Sequence, residues 1–239
     1  MAAARTLLYL IAFFGGSVVH VVIAFLGSLF SVRLLRRAVR LWSGYQTFCA
    51  RWILGVGIDI KGQIPAKQVL FALKHESMFE AIDMHRFFDY PAVVAKLQLA
   101  HIPLWGFAAR RYGMIFVDRG GGARSLRQMV GQARQAIIDD RPIVIFPEGT
   151  RVRPGQRPPL QSGFAGLYKM LGLPVVPIAV NSATCFPRDG WRYFPGRITY
   201  LIGEEIPAGL PRDIIEARVH AGINALDRED AAVSNHNRG

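Results

Sequence analysis

The chain has 239 residues, 51% of them hydrophobic, and a net charge of +12. That length suits one domain with a real core, and hydrophobicity together with basic charge favours an anionic membrane surface as partner. No zinc-finger, RNP-like or basic-zipper motif supports nucleic-acid binding, and the two cysteines, Cys49 and Cys185, exclude a disulfide framework and a cysteine zinc site and fit a reducing compartment.

Leu7 to Phe30 holds no Asp, Glu, Lys or Arg over 24 residues. This is long enough to cross a hydrocarbon core of about 30 Å and too long for the apolar part of a signal peptide. It reads as an uncleaved anchor that either spans or bends at Gly15-Gly16 and re-enters. Arg33, Arg36, Arg37 and Arg40 follow, against Arg5 alone before, which places the C-terminal flank in the cytoplasm. From Val32 to Leu54, Arg alternates with Leu, Val and Trp at helical spacing, as in a helix lying in the membrane interface. The expected division is therefore an anchor and basic helix over 1–54, a catalytic domain over 55–227 and a polar tail over 228–239.

Strand and helix patterns then alternate. Strands are expected near 55–62, 69–73, 92–95, 114–117, 142–146, 175–180 and 197–202, with helices after His75, from Ile102, over 125–139, 163–171 and 211–226. This predicts an α/β fold with a mostly parallel sheet flanked by helices, preceded by the membrane-anchoring helical segment.

The chemistry centres on His75. It follows the apolar run Val69–Leu73, and Ser77-Met78-Phe79-Glu80 fits a Ser-x-x-Glu capping box with Ser77 as N-cap. Glu80 then lies in the first helical turn, where it either closes the box or reaches the His75 ring and fixes its tautomer. Two further strand ends carry polar groups, Asp118-Arg119 and Glu148-Gly149-Thr150-Arg151. In a parallel sheet these ends share one edge. Arginines there can hold a phosphate, and glycine lets backbone N–H groups approach an anion; the same residues can also serve as ion pairs stitching strand ends.

His75-Glu76-Ser77-Met78-Phe79-Glu80, Gly113 to Arg119, Phe146-Pro147-Glu148-Gly149-Thr150-Arg151 and Val175 to Val180 around Pro177 stand in this order and spacing. Together they resemble the four motifs of the glycerolipid acyltransferases, specifically the 1-acyl-glycerol-3-phosphate (lysophosphatidate) acyltransferase family. Glu80 stands for the family's Asp, Lys74 where Asn is frequent, and Gln98 where an acidic residue is common. The resemblance implies acyl transfer from acyl-CoA or acyl carrier protein to a lysolipid hydroxyl, giving phosphatidate in phospholipid biosynthesis. His75 is then the base and Glu80 its orienting carboxylate. Arg119, Glu148, Gly149, Thr150 and Arg151, with Lys96, would hold the phosphoglycerol head, and Pro177 would shape the acyl channel. No metal or cofactor is implied. The expected location is the cytoplasmic face of a bacterial inner membrane. A lyso-ornithine lipid or glycerol-3-phosphate acceptor, and a non-catalytic membrane-binding module, are the alternatives.

Overall fold

A computed structural model describes residues 2–227; the polar tail lies outside the described residues. The fold is α/β, with its strands mostly parallel, and it divides into two compact units. One contains the segment ending at Gly55 together with Ala81–Val144. The other contains Val56–Glu80 together with the chain from Ile145 onward.

In the first unit, α1 (Ala2–Phe30) is one uninterrupted helix, about 43 Å long at ~1.5 Å per residue. It runs unbroken through Gly15 and Gly16. Ser31 alone separates it from α2 (Val32–Cys49), whose N-terminus it caps by accepting the Leu34 N–H at 3.1 Å. The two helices run back along each other. Arg5 Nε donates to Ile53 O (2.6 Å), Tyr45 Oη to Ala12 O (2.8 Å) and Trp42 Nε1 to Ser17 Oγ (2.9 Å). Gly16 is required by this closeness, since a Cβ there would overlap the Tyr45 ring. His20, mid-helix, bonds through Nδ1 to Gly16 O (2.8 Å) and stacks on Tyr45.

A π-helical turn, Ala50–Leu54, ends the hairpin. The rest of this unit holds α3 (Phe79–Phe87) from Ala81 onward, β3 (Ala92–Lys96), α4 (Trp105–Tyr112), β4 (Ile115–Val117), α5 (Gly122–Ile138) and the first residues of β5 (Ile143–Ile145). β5, β3 and β4 are parallel neighbours. α5 buries Met129, Val130, Ala133 and Ala136 on one stripe. Buried Leu35, Ala38 and Ala24 of the hairpin form one cluster with Ala108 and Tyr112 of α4. The anchor segment is thus part of this unit's core on one side and exposes Leu7, Ile11, Val18 and Leu29 on the other.

The second unit holds β1 (Val56–Lys61), β2 (Leu70–Leu73), α6 (Ser162–Leu171), β6 (Val175–Val180), β7 (Gly196–Ile202) and α7 (Arg212–Ile223). Its strand order is β1-β7-β6-β2. β1 with β7 and β2 with β6 are parallel, whereas β6 and β7 are antiparallel. The link between β6 and β7 has only a single short 3-10 turn (Ser182–Thr184) and no crossover helix, so the chain can return antiparallel. β2 and β6 are buried at every residue, which is why both read as unbroken apolar runs.

Candidate active site

β2 ends at Leu73, and the loop His75–Met78 leads into α3. Ser77 acts as the N-cap, its Oγ accepting the Phe79 N–H at 3.0 Å. Glu80 answers it by accepting the Ser77 N–H at 2.7 Å, so the box closes. The same Oε1 accepts from His75 Nδ1 at 2.9 Å and from the Glu76 N–H at 2.7 Å. Oε2 takes the hydroxyls of Ser77 (2.7 Å) and Ser182 (2.6 Å). One carboxylate therefore serves both as helix cap and as partner of the histidine.

Glu80 is fully buried. Burial raises its pKa, but the bond and charge of His75, with Ser182 and Ser77, outweigh that and hold it below the usual carboxylate range. Removing the donors from a buried carboxylate of this kind costs about 3–5 kcal/mol. The His75 ring is further held against Phe146, with centroids 4.3 Å apart. Among the described residues its hydrogen bonds run through Nδ1 only. With Nδ1–H committed to Glu80, Nε2 is the nitrogen left to accept a proton.

The segment after β5 grips the same loop. Phe146-Pro147-Glu148-Gly149 is a tight turn closed by Gly149 N–H to Phe146 O (2.9 Å), with Pro at its second position. Gly149 has φ 72°, the left-handed region that glycine occupies at least cost. The turn aims Glu148 inward, where Oε2 accepts the His75 main-chain N–H at 2.9 Å. His75 O accepts the Val152 N–H at 2.7 Å. Glu148 is buried, and burial pushes its pKa up against the pull of Lys74 and the His75 N–H. Thr150 and Arg151 are exposed, and Arg188 Nη1 donates to Arg151 O at 2.6 Å.

His75, Glu80, Glu148, Gly149, Thr150, Arg151 and Pro177 thus all belong to the second unit. Pro177 is packed on Gly203 and Gly222, and a Cβ at Gly222 would overlap its ring, so the ring seats β6 against α7. Lys96 and Arg119 belong to the first unit, at the C-terminal ends of the adjacent strands β3 and β4, where Lys96 pairs in register with Val117. Both are exposed.

Two groups escape sequence reasoning. Ser182, two residues beyond β6, donates to Glu80, and the neighbouring Ala183 N–H donates to Glu76 Oε2 at 3.0 Å. Burial pushes the Glu76 carboxyl up to about 8, with Glu80 and Asp227 adding to the effect while Ala183 and Lys74 oppose it. The second group is Asn224 and Asp227, which surround the Lys74 ammonium. No local pattern announces either group, because the partners lie more than 100 residues apart.

The family model described as Acyltransferase matches residues 57–181. The chain is 31% identical over 175 residues to the 1-acyl-sn-glycerol-3-phosphate acyltransferase of Pseudomonas aeruginosa, covering 72% of this chain and 68% of that protein. It is 28% identical over 143 residues to the protein of the same name from Helicobacter pylori, spanning 59% of that relative's length. The crystal structure of the 1-acyl-sn-glycerophosphate (LPA) acyltransferase PlsC from Thermotoga maritima shares the fold. Its TM-score is 0.77 at 18% identity, over 97% of this chain and 98% of that one.

Proposed function

The chain belongs to the Acyltransferase family, and we propose that it transfers an acyl group from an acyl thioester to the free hydroxyl of 1-acyl-glycerol-3-phosphate, giving phosphatidate. The observation that carries this reading is the His75–Glu80 pair, a histidine held by one ring nitrogen on a carboxylate that four further donors saturate. His75 Nε2 takes the hydroxyl proton as the oxygen attacks the thioester carbonyl carbon. The C–O bond forms, the C–S bond breaks, and the proton passes from Nε2 to the leaving thiolate. Glu80 stays ionised throughout and stabilises the imidazolium that forms midway. Arg151 and Thr150, both exposed in the second unit, are the candidate ligands there for the phosphoglycerol head, the Gly149 N–H being spent on Phe146 O.

The test is a labelled acyl-transfer assay on membranes with lysophosphatidate and, in parallel, acyl-CoA and acyl carrier protein thioesters. Phosphatidate should form with the parent. His75→Ala should lose a factor of about 10²–10⁴ or more in rate while keeping its fold and membrane association. Near-normal turnover by His75→Ala sinks the mechanism.

α1 is long and apolar enough to cross a membrane, but the hairpin bears on how it is seated. The chain returns from Ser31 to Ile53, beside Arg5. A crossing α1 would set the arginines of α2 on one side and the exit of the hairpin on the other. It would also draw Arg40 into the hydrocarbon, at a cost of about 2.5–3.5 kcal/mol or more. Seating the hairpin in the plane of one interface satisfies both ends. The apolar residues of α1, with Leu34, Leu41, Phe48 and Trp52, then meet acyl chains, and Arg33 and Arg37 meet anionic headgroups. Arg36, stacked on Tyr90, and Arg40, 3.7 Å from Asp89, are engaged within the unit.

A further inference from the structure

Lys74 immediately precedes His75 and is buried along its whole side chain, a position lysine rarely takes unless paired. Its ammonium donates to Asn224 Oδ1 and lies 3.5 Å from Glu148 Oε1 and 3.8 Å from Asp227 Oδ2. Glu148 spends its other oxygen on the His75 main-chain N–H. Its Oε1 makes no hydrogen bond among the described residues and faces Lys74. Asn224 is itself fixed, Nδ2 donating to His220 O at 2.7 Å. Asp227 is shared with Arg157 at 3.2 Å. The turn that follows α7 thus encloses an ammonium 150 residues away in sequence.

We propose that Lys74 is a positioning residue for the acyl transfer: it supplies the counter-charge to the Glu148 carboxylate and, through that carboxylate, fixes the main chain of His75. The proposal rests on the acyl-transfer reading above. His75 is gripped by Glu80 on its ring, by Glu148 on its main-chain N–H and by Val152 on its main-chain carbonyl. The second grip depends on a carboxylate with almost no access to water. Lys74 is the largest influence favouring its charged form, followed by the His75 N–H and the His75 ring. The other titratable groups around the ammonium are Asp227, with Arg157 behind it, and Glu76, whose carboxyl is pushed by burial up to about 8. Without Lys74 the buried carboxylate takes up a proton, and a charge-assisted hydrogen bond becomes a neutral one of roughly half the strength. The ring stays on Glu80 and the carbonyl on Val152, but the main-chain N–H of His75 is held less firmly. The loss then falls on the placement of Nε2 against the acceptor hydroxyl, and not on headgroup binding.

The test uses Lys74→Met and Lys74→Asn in the full chain, the second because the resembled family frequently has Asn at this position and the site can house it. Both should lower kcat with lysophosphatidate about tenfold or more at neutral pH, with KM changed less than about twofold. The acid limb of the kcat profile should move up by about one pH unit or more. Independently of activity, infrared spectroscopy of Lys74→Met, or of Lys74→Asn where Met does not fold, should show a carboxylic-acid C=O band at neutral pH. That band should be additional to the one that protonated Glu76 gives in the parent, and should be missing from the matching double variant with Glu148→Gln. Unchanged activity, or an equal loss at every pH with no new band, overturns the proposal. A parent without acyl transfer overturns the acyl-transfer reading, and the infrared band still decides whether Lys74 is the counter-charge of Glu148.

Discussion

At the scale of single residues, the site is a set of carboxyl groups given different tasks by their surroundings. Glu80 collects five donors and is held as an anion, whereas Glu76, four positions earlier, has the Ala183 N–H on Oε2 and is pushed up to about 8 by burial. The folded protein therefore keeps a proton on Glu76 between its ordinary value of 4.5 and about 8, where the unfolded chain gives it up. Folding takes up a proton in that window, so this group's contribution to stability is present at low pH and is lost as pH rises from about 4.5 to about 8, on the order of a few kcal/mol. Glu76→Gln retains an acceptor for Ala183 and removes the ionisation. In denaturant titrations in detergent, the variant should be more stable than the parent at pH 8 and show a smaller change in stability between pH 5 and pH 8. Equal slopes for the two proteins would mean that Glu76 is already ionised at pH 5. His75 and Glu80 were legible in the sequence because a capping box is a local pattern that fixes which residues meet. Ser182, Asn224 and Asp227 were not, since their contacts exist only once β6 and α7 have been placed against β2.

At the scale of elements, the hairpin of α1 and α2 shows how a single position sets a packing distance. Gly16 has no Cβ, and the Tyr45 ring occupies the space one would take. Tyr45 in turn bonds Ala12 O and stacks on His20. Gly16→Val should push the helices apart, expel Tyr45 and cost about 1–3 kcal/mol, read as a lowered Tm in detergent, with Gly15→Val at an open position as the control. Comparable losses in both variants would assign the effect to helix propensity and not to the contact with Tyr45. Helices such as α5 were readable from periodicity, through Met129, Val130 and Ala133, and buried strands such as β2 and β6 from short unbroken apolar runs. The hairpin was harder. An apolar run of this length has the same pattern whether it crosses a bilayer or folds back, and the reversal at Ser31 occupies one residue. The antiparallel pairing of β7 with β6 was likewise hidden, because a buried strand has the same composition in either direction.

At the scale of the whole molecule, the arrangement of the hairpin decides on which side of a membrane the chain begins and continues. Ala4 and Arg33 are both exposed, near opposite ends of α1. If the hairpin lies in one interface, Ala4→Cys and Arg33→Cys should both react with a membrane-impermeant maleimide from the same side of sealed vesicles. The native Cys49 and Cys185 are buried and keep the background low. Labelling from opposite sides would restore a crossing helix. A hairpin seated in this way, about 43 Å along α1, adds area to one leaflet and none to the other. Insertion is then opposed by lateral pressure in a tightly packed leaflet and eased by convex curvature or packing defects. The proposed reaction turns a one-chain lipid into a two-chain lipid in the same leaflet, so each turnover alters the lateral pressure under which the anchor itself is held.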